Sequence, residues 1–266
     1  MANGVNRRDF FKIAGLVGLA GALPGKAQGH GGGGGFAAPP LAQAPAKALA
    51  QTPQAYTYFT PAEAAFVEAA VARLIPSDEL GPGGLEAGCV YFIDQQLSGT
   101  YGNAGRWYMQ GPFGESAPEQ GYQLPLTPRQ LYRLGIEKVN AYCQAQYSKS
   151  FDQLAPQQQD AVLAAMEGGK LPVSDAPITD FFNLLLSNAI EGFFADPIYG
   201  GNRDKVGWKL VGFPGVAAAY VGVVGDYGKP YQVEPVGIAD VMQGRAQLDE
   251  HGHPIHLPLA KNRQRH

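Results

Sequence analysis

Apolar residues recur at helical spacing in five stretches between residues 56 and 194, and polar or Gly/Pro-rich sequence separates them. The first opens at Thr60-Pro61-Ala62-Glu63, where Thr60 is placed to cap, Pro61 suits the first helical position and Glu63 can fold back onto a free amide. Phe66, Val67, Ala70, Val71 and Leu74 then mark one helical face, which Pro76 halts. From Ala87 to Leu97 the spacing of Val90, Ile93, Asp94 and Leu97 predicts a second helix, with Tyr91 and Phe92 leaving a strand as the alternative. Thr127-Pro128-Arg129-Gln130 repeats the capping pattern, and Leu131, Leu134, Val139, Tyr142 and Cys143 carry a third helix toward Tyr147. Pro156 to Glu167 predicts a fourth, stopped by Gly168-Gly169. Thr179 to Phe194 is the most apolar stretch. Phe181, Phe182, Leu184, Leu185, Leu186, Ile190 and Phe193 cover all of its sides, which predicts a helix at the centre of the core.

The intervening sequence is irregular. Ser98 to Leu126 is crowded with Gly, Pro and aromatics, including Arg106-Trp107-Tyr108-Met109 and Gly111-Pro112-Phe113, and so long a loop in a compact domain implies a task or a partner. After Asp196-Pro197 the chain turns repeatedly down to a charged tail. Residues 31–54 are low-complexity Gly, Ala, Pro and Gln that cannot bury a core. The expected fold is mainly α: a single irregular helical domain with long Gly/Pro/aromatic-rich loops and a disordered N-terminal leader. The expected divisions are 1–29, 30–55, 56–240 for the helical domain and 241–266 for a polar, His-containing tail. A length of 266 residues with 45% hydrophobic side chains suffices for one substantial core. With only 16% charged residues, 36 Gly and 21 Pro, the loops form a surface better suited to being covered than to facing water. The net charge is -3; the first 29 residues hold Arg7, Arg8, Lys12 and Lys26 against Asp9, so the remainder stands at -6. An acidic body of this kind is a poor match for nucleic acid.

Within the first 29 residues, Asn6-Arg7-Arg8-Asp9-Phe10-Phe11-Lys12 matches the twin-arginine export pattern: paired arginines, a spacer, two large apolar residues and a lysine. The apolar run Ile13 to Leu23 is broken by Gly15, Gly18 and Gly21 and falls short of the roughly 20 residues that cross a bilayer, so it predicts a cleavable signal rather than an anchor. Ala27 and Gly29 suit cleavage before His30, with Ala20 and Ala22 as the alternative. Arg7, Arg8, Phe10, Phe11 and Lys12 are the candidate export residues, and the translocase is the first expected partner. This route carries folded cargo, often already holding a cofactor.

Catalytic chemistry is hard to find in the body of the chain. Of five histidines, His30 lies in the leader and His251, His253, His256 and His266 lie in the last sixteen positions, leaving none in the helical body as a general base. Covalent haem needs C-x-x-C-H, which Cys89 and Cys143 do not supply. Gly31 to Gly35 and Gly81 to Gly84 do not follow an apolar strand, so neither reads as a dinucleotide turn. Catalytic, cofactor-binding and metal-ligating residues are therefore expected to be none. His251-Gly252-His253-Pro254-Ile255-His256 suits a transition metal as the alternative, a free-standing periplasmic metal-binding protein or enzyme. Cys89 and Cys143 form an even pair that in an oxidising compartment either bridges the second and third helices or stays as two buried thiols.

Four stretches together resemble the gluconate 2-dehydrogenase subunit 3 family. They are the twin-arginine leader, Phe59-Thr60-Pro61 through Arg73-Leu74-Ile75-Pro76, Cys89 through Asp94, and Glu191-Gly192-Phe193-Phe194-Ala195-Asp196-Pro197-Ile198-Tyr199-Gly200-Gly201-Asn202 with Gly207-Trp208 and Gly212-Phe213-Pro214-Gly215. The resemblance implies a small, non-catalytic subunit of a heterotrimer at the periplasmic face of the inner membrane. In such a complex a large flavoprotein holding FAD oxidises a sugar or sugar acid, and a cytochrome c subunit holding haem c takes the electrons. The family pattern assigns a defined role to Arg7 and Arg8 alone. Trp107, Phe194, Asp196, Tyr199, Asn202, Arg203 and Trp208 are the candidate partner-facing residues, with internal turn chemistry as the competing role for those in the signature.

Overall fold

A computed structural model describes residues 55–114, 120–216 and 223–259. Helix α1 (Pro61–Leu74) forms where its capping pattern places it. The Thr60 amide donates to Glu63 Oε2 at 2.8 Å and the Glu63 amide to Thr60 Oγ1 at 3.4 Å, which pairs two free donors of the first turn. Residues 89–98 form helix α2 (Cys89–Ser98), and the strand alternative is overturned. Cys89, Val90, Phe92, Ile93, Asp94 and Leu97 are all buried, whereas a strand would have sent neighbouring side chains to opposite faces. In helix α3 (Pro128–Tyr147) the capping box is only half made. Gln130 Oε1 accepts the Thr127 amide at 2.8 Å, but the Thr127 hydroxyl is buried without a hydrogen-bond partner. Helix α4 (Pro156–Glu167) stops at its glycine pair, where Gly169 takes φ +63°, a left-handed turn that costs glycine little.

Helix α5 (Ile178–Phe194) is the central element and packs against α1, α2, α3 and α4. Its burial is one-sided rather than all-round. Phe181, Phe182, Leu185, Asn188, Ala189, Gly192 and Phe193 are buried, Leu184, Leu186 and Ile190 are half-buried, and Asn183 and Ser187 face outward. In the core, Phe66 lies 4.6 Å from Phe151 and 6.1 Å from Phe181, and Tyr132 meets Phe181 edge-on at 5.4 Å. Each such side chain contributes about 2 kcal/mol on leaving water. Close approach of α3 to α5 requires Gly135, because a Cβ there would stand 2.3 Å from the Phe181 ring. The short 3-10 turn Phe151–Gln153 joins α3 to α4: its Phe151 amide donates to Asn140 Oδ1 at 3.0 Å and its carbonyl accepts from Gln159 Nε2 at 3.1 Å. Arg73 grips Asp160 through two bonds of 2.7 Å and ties α1 to α4.

Beyond α5 lie two short helices, α6 (Val206–Val211) and α7 (Ile238–Met242). Among the described residues no strand forms; isolated bridges at Gly215–Val236, Val233–Pro258 and Leu248–Pro254 organise an arm over residues 223–259. The tail returns along this arm, with the Glu234 amide donating to the Leu257 carbonyl and the Leu259 amide to the Gln232 carbonyl. No helix among the described residues is long and apolar enough to cross a membrane.

The chain enters this body at residues 57–59. There the amides of Thr57, Tyr58 and Phe59 donate to the Asp94 carboxylate at 2.7, 2.9 and 2.9 Å. Asp94 is fully buried in α2, so these bonds replace the water its charge has lost. Asp94→Ala is expected to lower stability by about 3 kcal/mol, since it leaves backbone donors unpaired, while Asp94→Asn loses less; urea unfolding measures both.

Candidate functional site

A helix ends with carbonyls that have no intrahelical donor. At the end of α5 these groups are met by the loop that follows, which holds the most specific stretch of the sequence. Asp196 starts a 3-10 turn, Pro197–Tyr199, by accepting the Ile198 amide at 3.0 Å, and Gly200 reverses the chain at φ +94°. Gly201 then lies flat on the helix, for a Cβ there would stand 2.2 Å from the Gly192 carbonyl oxygen. Asn202, fully buried and at φ +46°, donates from Nδ2 to the Ala195 carbonyl at 2.9 Å and accepts the Gly207 amide on Oδ1 at 2.8 Å. Trp208 Nε1 donates to the Phe194 carbonyl at 2.7 Å. The end of α5 is thus capped by side chains seven and fourteen residues downstream of the carbonyls they meet, and α6 is held against it.

The same loop carries the arm. Asp196 Oδ2 accepts the Ile238 amide at 2.8 Å, Lys205 Nζ lies 2.5 Å from Asp240 Oδ2, and it also donates to the Pro235 carbonyl at 2.8 Å. Asp240 further accepts the Gly237 amide and two bonds from Arg245. Burial acts to raise the Asp240 pKa, yet the Lys205 ammonium, the Gly237 amide and Arg245 outweigh it and hold the carboxyl below its usual range. Beside this clamp, Tyr199, Val211 and Phe213 are exposed, and the arm displays Val224, Tyr227 and Met242 at 75%, 98% and 73% exposure.

An open groove of about 460 Å³ lies between α2 and α5, lined by Phe92, Gln96, Glu191, Phe194, Ala195, Asp196 and Tyr199. Behind it runs a polar chain. Tyr132 donates from its hydroxyl to Asn188 Oδ1 at 3.0 Å, and Asn188 Nδ2 donates to the Tyr101 hydroxyl at 2.9 Å and to Glu191 Oε2 at 3.2 Å. Burial pushes the Tyr101 hydroxyl up to about 12 and that of Tyr132 well above its ordinary value; it also raises the Glu191 carboxyl.

The predicted site residues divide accordingly. Arg7, Arg8, Phe10, Phe11 and Lys12 lie outside the described residues. Tyr199 and Arg203 are exposed, and Phe194 and Asp196 are half-buried. Trp107 is half-buried between Tyr101 and Tyr122, at ring distances of 5.6 and 5.0 Å. Asn202 and Trp208 turn inward and spend their polar groups on α5, so their part in any interface is to shape the loop. Cys89 and Cys143 are both buried and stand as free thiols. Cys89 opens α2 against Gly84 and Gly192, whereas Cys143 sits in the last turns of α3.

Of the described histidines, His251 and His253 lie with their rings 6.1 Å apart, and His256 is bonded elsewhere. His256 Nε2 donates to the Val216 carbonyl and Nδ1 accepts the Tyr231 hydroxyl, each at 2.9 Å, while His251 and His253 pair with Glu250 and Asp249. Among the described residues no group of three His, Cys, Asp or Glu side chains is placed to hold a metal. The Gly83 and Gly84 turn is a packing device, since a Cβ on either would stand 2.5 or 2.6 Å from Ile75 or Val71. Reading from sequence missed Glu191, Gln96 and Asn188. The signal for Gln96 and Asn188 was a polar residue on or beside the apolar faces of α2 and α5, and Glu191 was named only as the start of the family stretch.

A family model described as gluconate 2-dehydrogenase subunit 3 matches residues 61–215, from the start of α1 to the end of the capping loop. No curated protein and no solved structure shows a significant match.

Asn202→Ala is expected to cost about 2 kcal/mol, because the Ala195 carbonyl and the buried Gly207 amide both lose their partner. Chemical unfolding measures it. Because the folded Asp240 pKa is depressed, its contribution to arm docking is present above the unfolded value of about 4 and lost as pH falls through the folded one. The protection factor of the Gly237 amide, its exchange rate corrected for the intrinsic pH dependence, should fall over that acid range in the native chain and stay constant in Asp240→Asn.

Proposed function

The chain belongs to the gluconate 2-dehydrogenase subunit 3 family, and on that premise we propose that it is a non-catalytic small subunit of a periplasmic flavin-dependent dehydrogenase. Membership implies association with other dehydrogenase subunits. In this reading those are a large flavoprotein subunit that binds FAD and oxidises gluconate or a related sugar, and a cytochrome c subunit that carries haem c. The complex sits at the periplasmic face of the inner membrane.

The observation that carries the proposal is a family match spanning the helical body and its capping loop. Two features support it. Asn6 to Lys12 presents a twin-arginine signal on a chain whose own sequence contains no dinucleotide or haem-attachment motif, which suits a subunit that escorts a cofactor-loaded companion through the export pore. The exposed apolar side chains of the arm and loop suit a surface that becomes covered in an assembly. The role assigned is therefore export, maturation and stabilisation of the flavoprotein.

Replacing Arg7 and Arg8 by Lys is expected to leave the flavoprotein subunit in the cytoplasm. Cell fractionation with an activity stain measures this, and undiminished periplasmic activity would refute the escort role.

A further inference from the structure

We propose that the groove between α2 and α5 is a socket for a basic side chain, arginine above all, presented by the flavoprotein subunit. The inference rests on the assembly reading above and adds to it a place and a chemistry of contact.

Three aromatic side chains, Phe92, Phe194 and Tyr199, line the groove together with the Glu191 carboxylate and the Gln96 amide. Aromatic faces attract a guanidinium, which stacks on them more readily than an ammonium because it is planar and weakly hydrated. Glu191 remains accessible from outside. Its one hydrogen bond among the described residues comes from Asn188, to Oε2, so Oε1 is left for a donor from elsewhere. Among the described residues no cation offsets the water that its neighbours remove from this carboxylate, and burial raises its pKa. The basic residues of the adjoining loop are engaged elsewhere: Lys205 on Asp240, and Arg203 packed over Gly88.

Asp196 adds negative charge to the groove, its two oxygens also accepting the Ile198 and Ile238 amides. A cation entering here therefore meets a negative, aromatic-walled recess with an unused acceptor. The exposed Ile198 and Tyr199 beside it can exclude water once a partner is seated. These features together favour a basic anchor over a purely apolar one, which would leave Glu191 desolvated and unpaired.

The test uses the full chain co-expressed with its flavoprotein subunit, comparing wild type with Glu191→Gln, which preserves the acceptor for Asn188. Affinity is expected to fall by about tenfold or more at low salt, with a weaker salt dependence and an unchanged melting temperature of the free chain. Adding Gln96→Glu to that variant returns a carboxylate from the opposite wall and should restore binding, which a merely structural role of Glu191 would not produce. If Glu191→Gln lowers the melting temperature, the double variant decides: recovered affinity supports the socket and unrecovered affinity overturns it. A well-folded Glu191→Gln chain that binds within twofold of wild type sinks the socket and leaves the assembly reading standing. Failure of the wild-type chain to bind the flavoprotein at all sinks both.

Discussion

Everything C-terminal to the core depends on how the last turn of α5 is capped. Its final carbonyls emerge at the edge of the core, where leaving them unpaired would cost about as much as a lost hydrogen bond each. The chain meets them with Asn202 and Trp208, which works only because Gly201 and Gly207 let the loop touch the helix backbone. Once that loop is seated, Asp196 and Lys205 stand where they can hold the arm, and Tyr199 stands at the lip of the groove. A local problem of helix termination thus positions the surface that the proposed function uses.

A second buried polar device works at the other end of the body. The Asp94 carboxylate gathers three consecutive amides and so sets the register of residues 57–59 against α2. The Tyr132–Asn188–Tyr101 chain does similar work between α3, α5 and the aromatic loop. Hydrophobic burial is non-directional, so it drives α1 to α5 together without choosing their register. The directed bonds make the choice, and they connect segments from about 35 to almost 90 residues apart in sequence.

The molecule consequently has two kinds of surface. The outer faces of α1, α3 and α4 are tied by ion pairs such as Arg73–Asp160 and Arg133–Glu63, as suits a face left in water. The capping loop and arm instead show aromatic and aliphatic side chains and hold to the body by a few polar clamps. This division fits a subunit that associates with others through its capping loop and arm.

Helices α1, α3, α4 and α5 were legible in the sequence, as was the Thr60 cap, because apolar spacing, Pro at the first turn of three of them and Gly after α4 act within a few residues of each other. Resemblance to the family was legible too, carried by the stretch from Glu191 to Gly215. The sequence left open whether α2 was a strand, and it suggested a uniformly buried α5. Those questions turn on which neighbours cover each face, and no local pattern holds that information. For Asn202 and Trp208 the sequence left both a contact and an internal role open, and folding turned their polar groups inward, since only in three dimensions do the carbonyls of Phe194 and Ala195 become their nearest acceptors. Glu191 stood in the sequence only as the first residue of the family stretch, with no role of its own. Packing of α2 against α5 alone put it in an aromatic-walled groove, because local spacing specifies helices whereas contact between distant helices creates the sites.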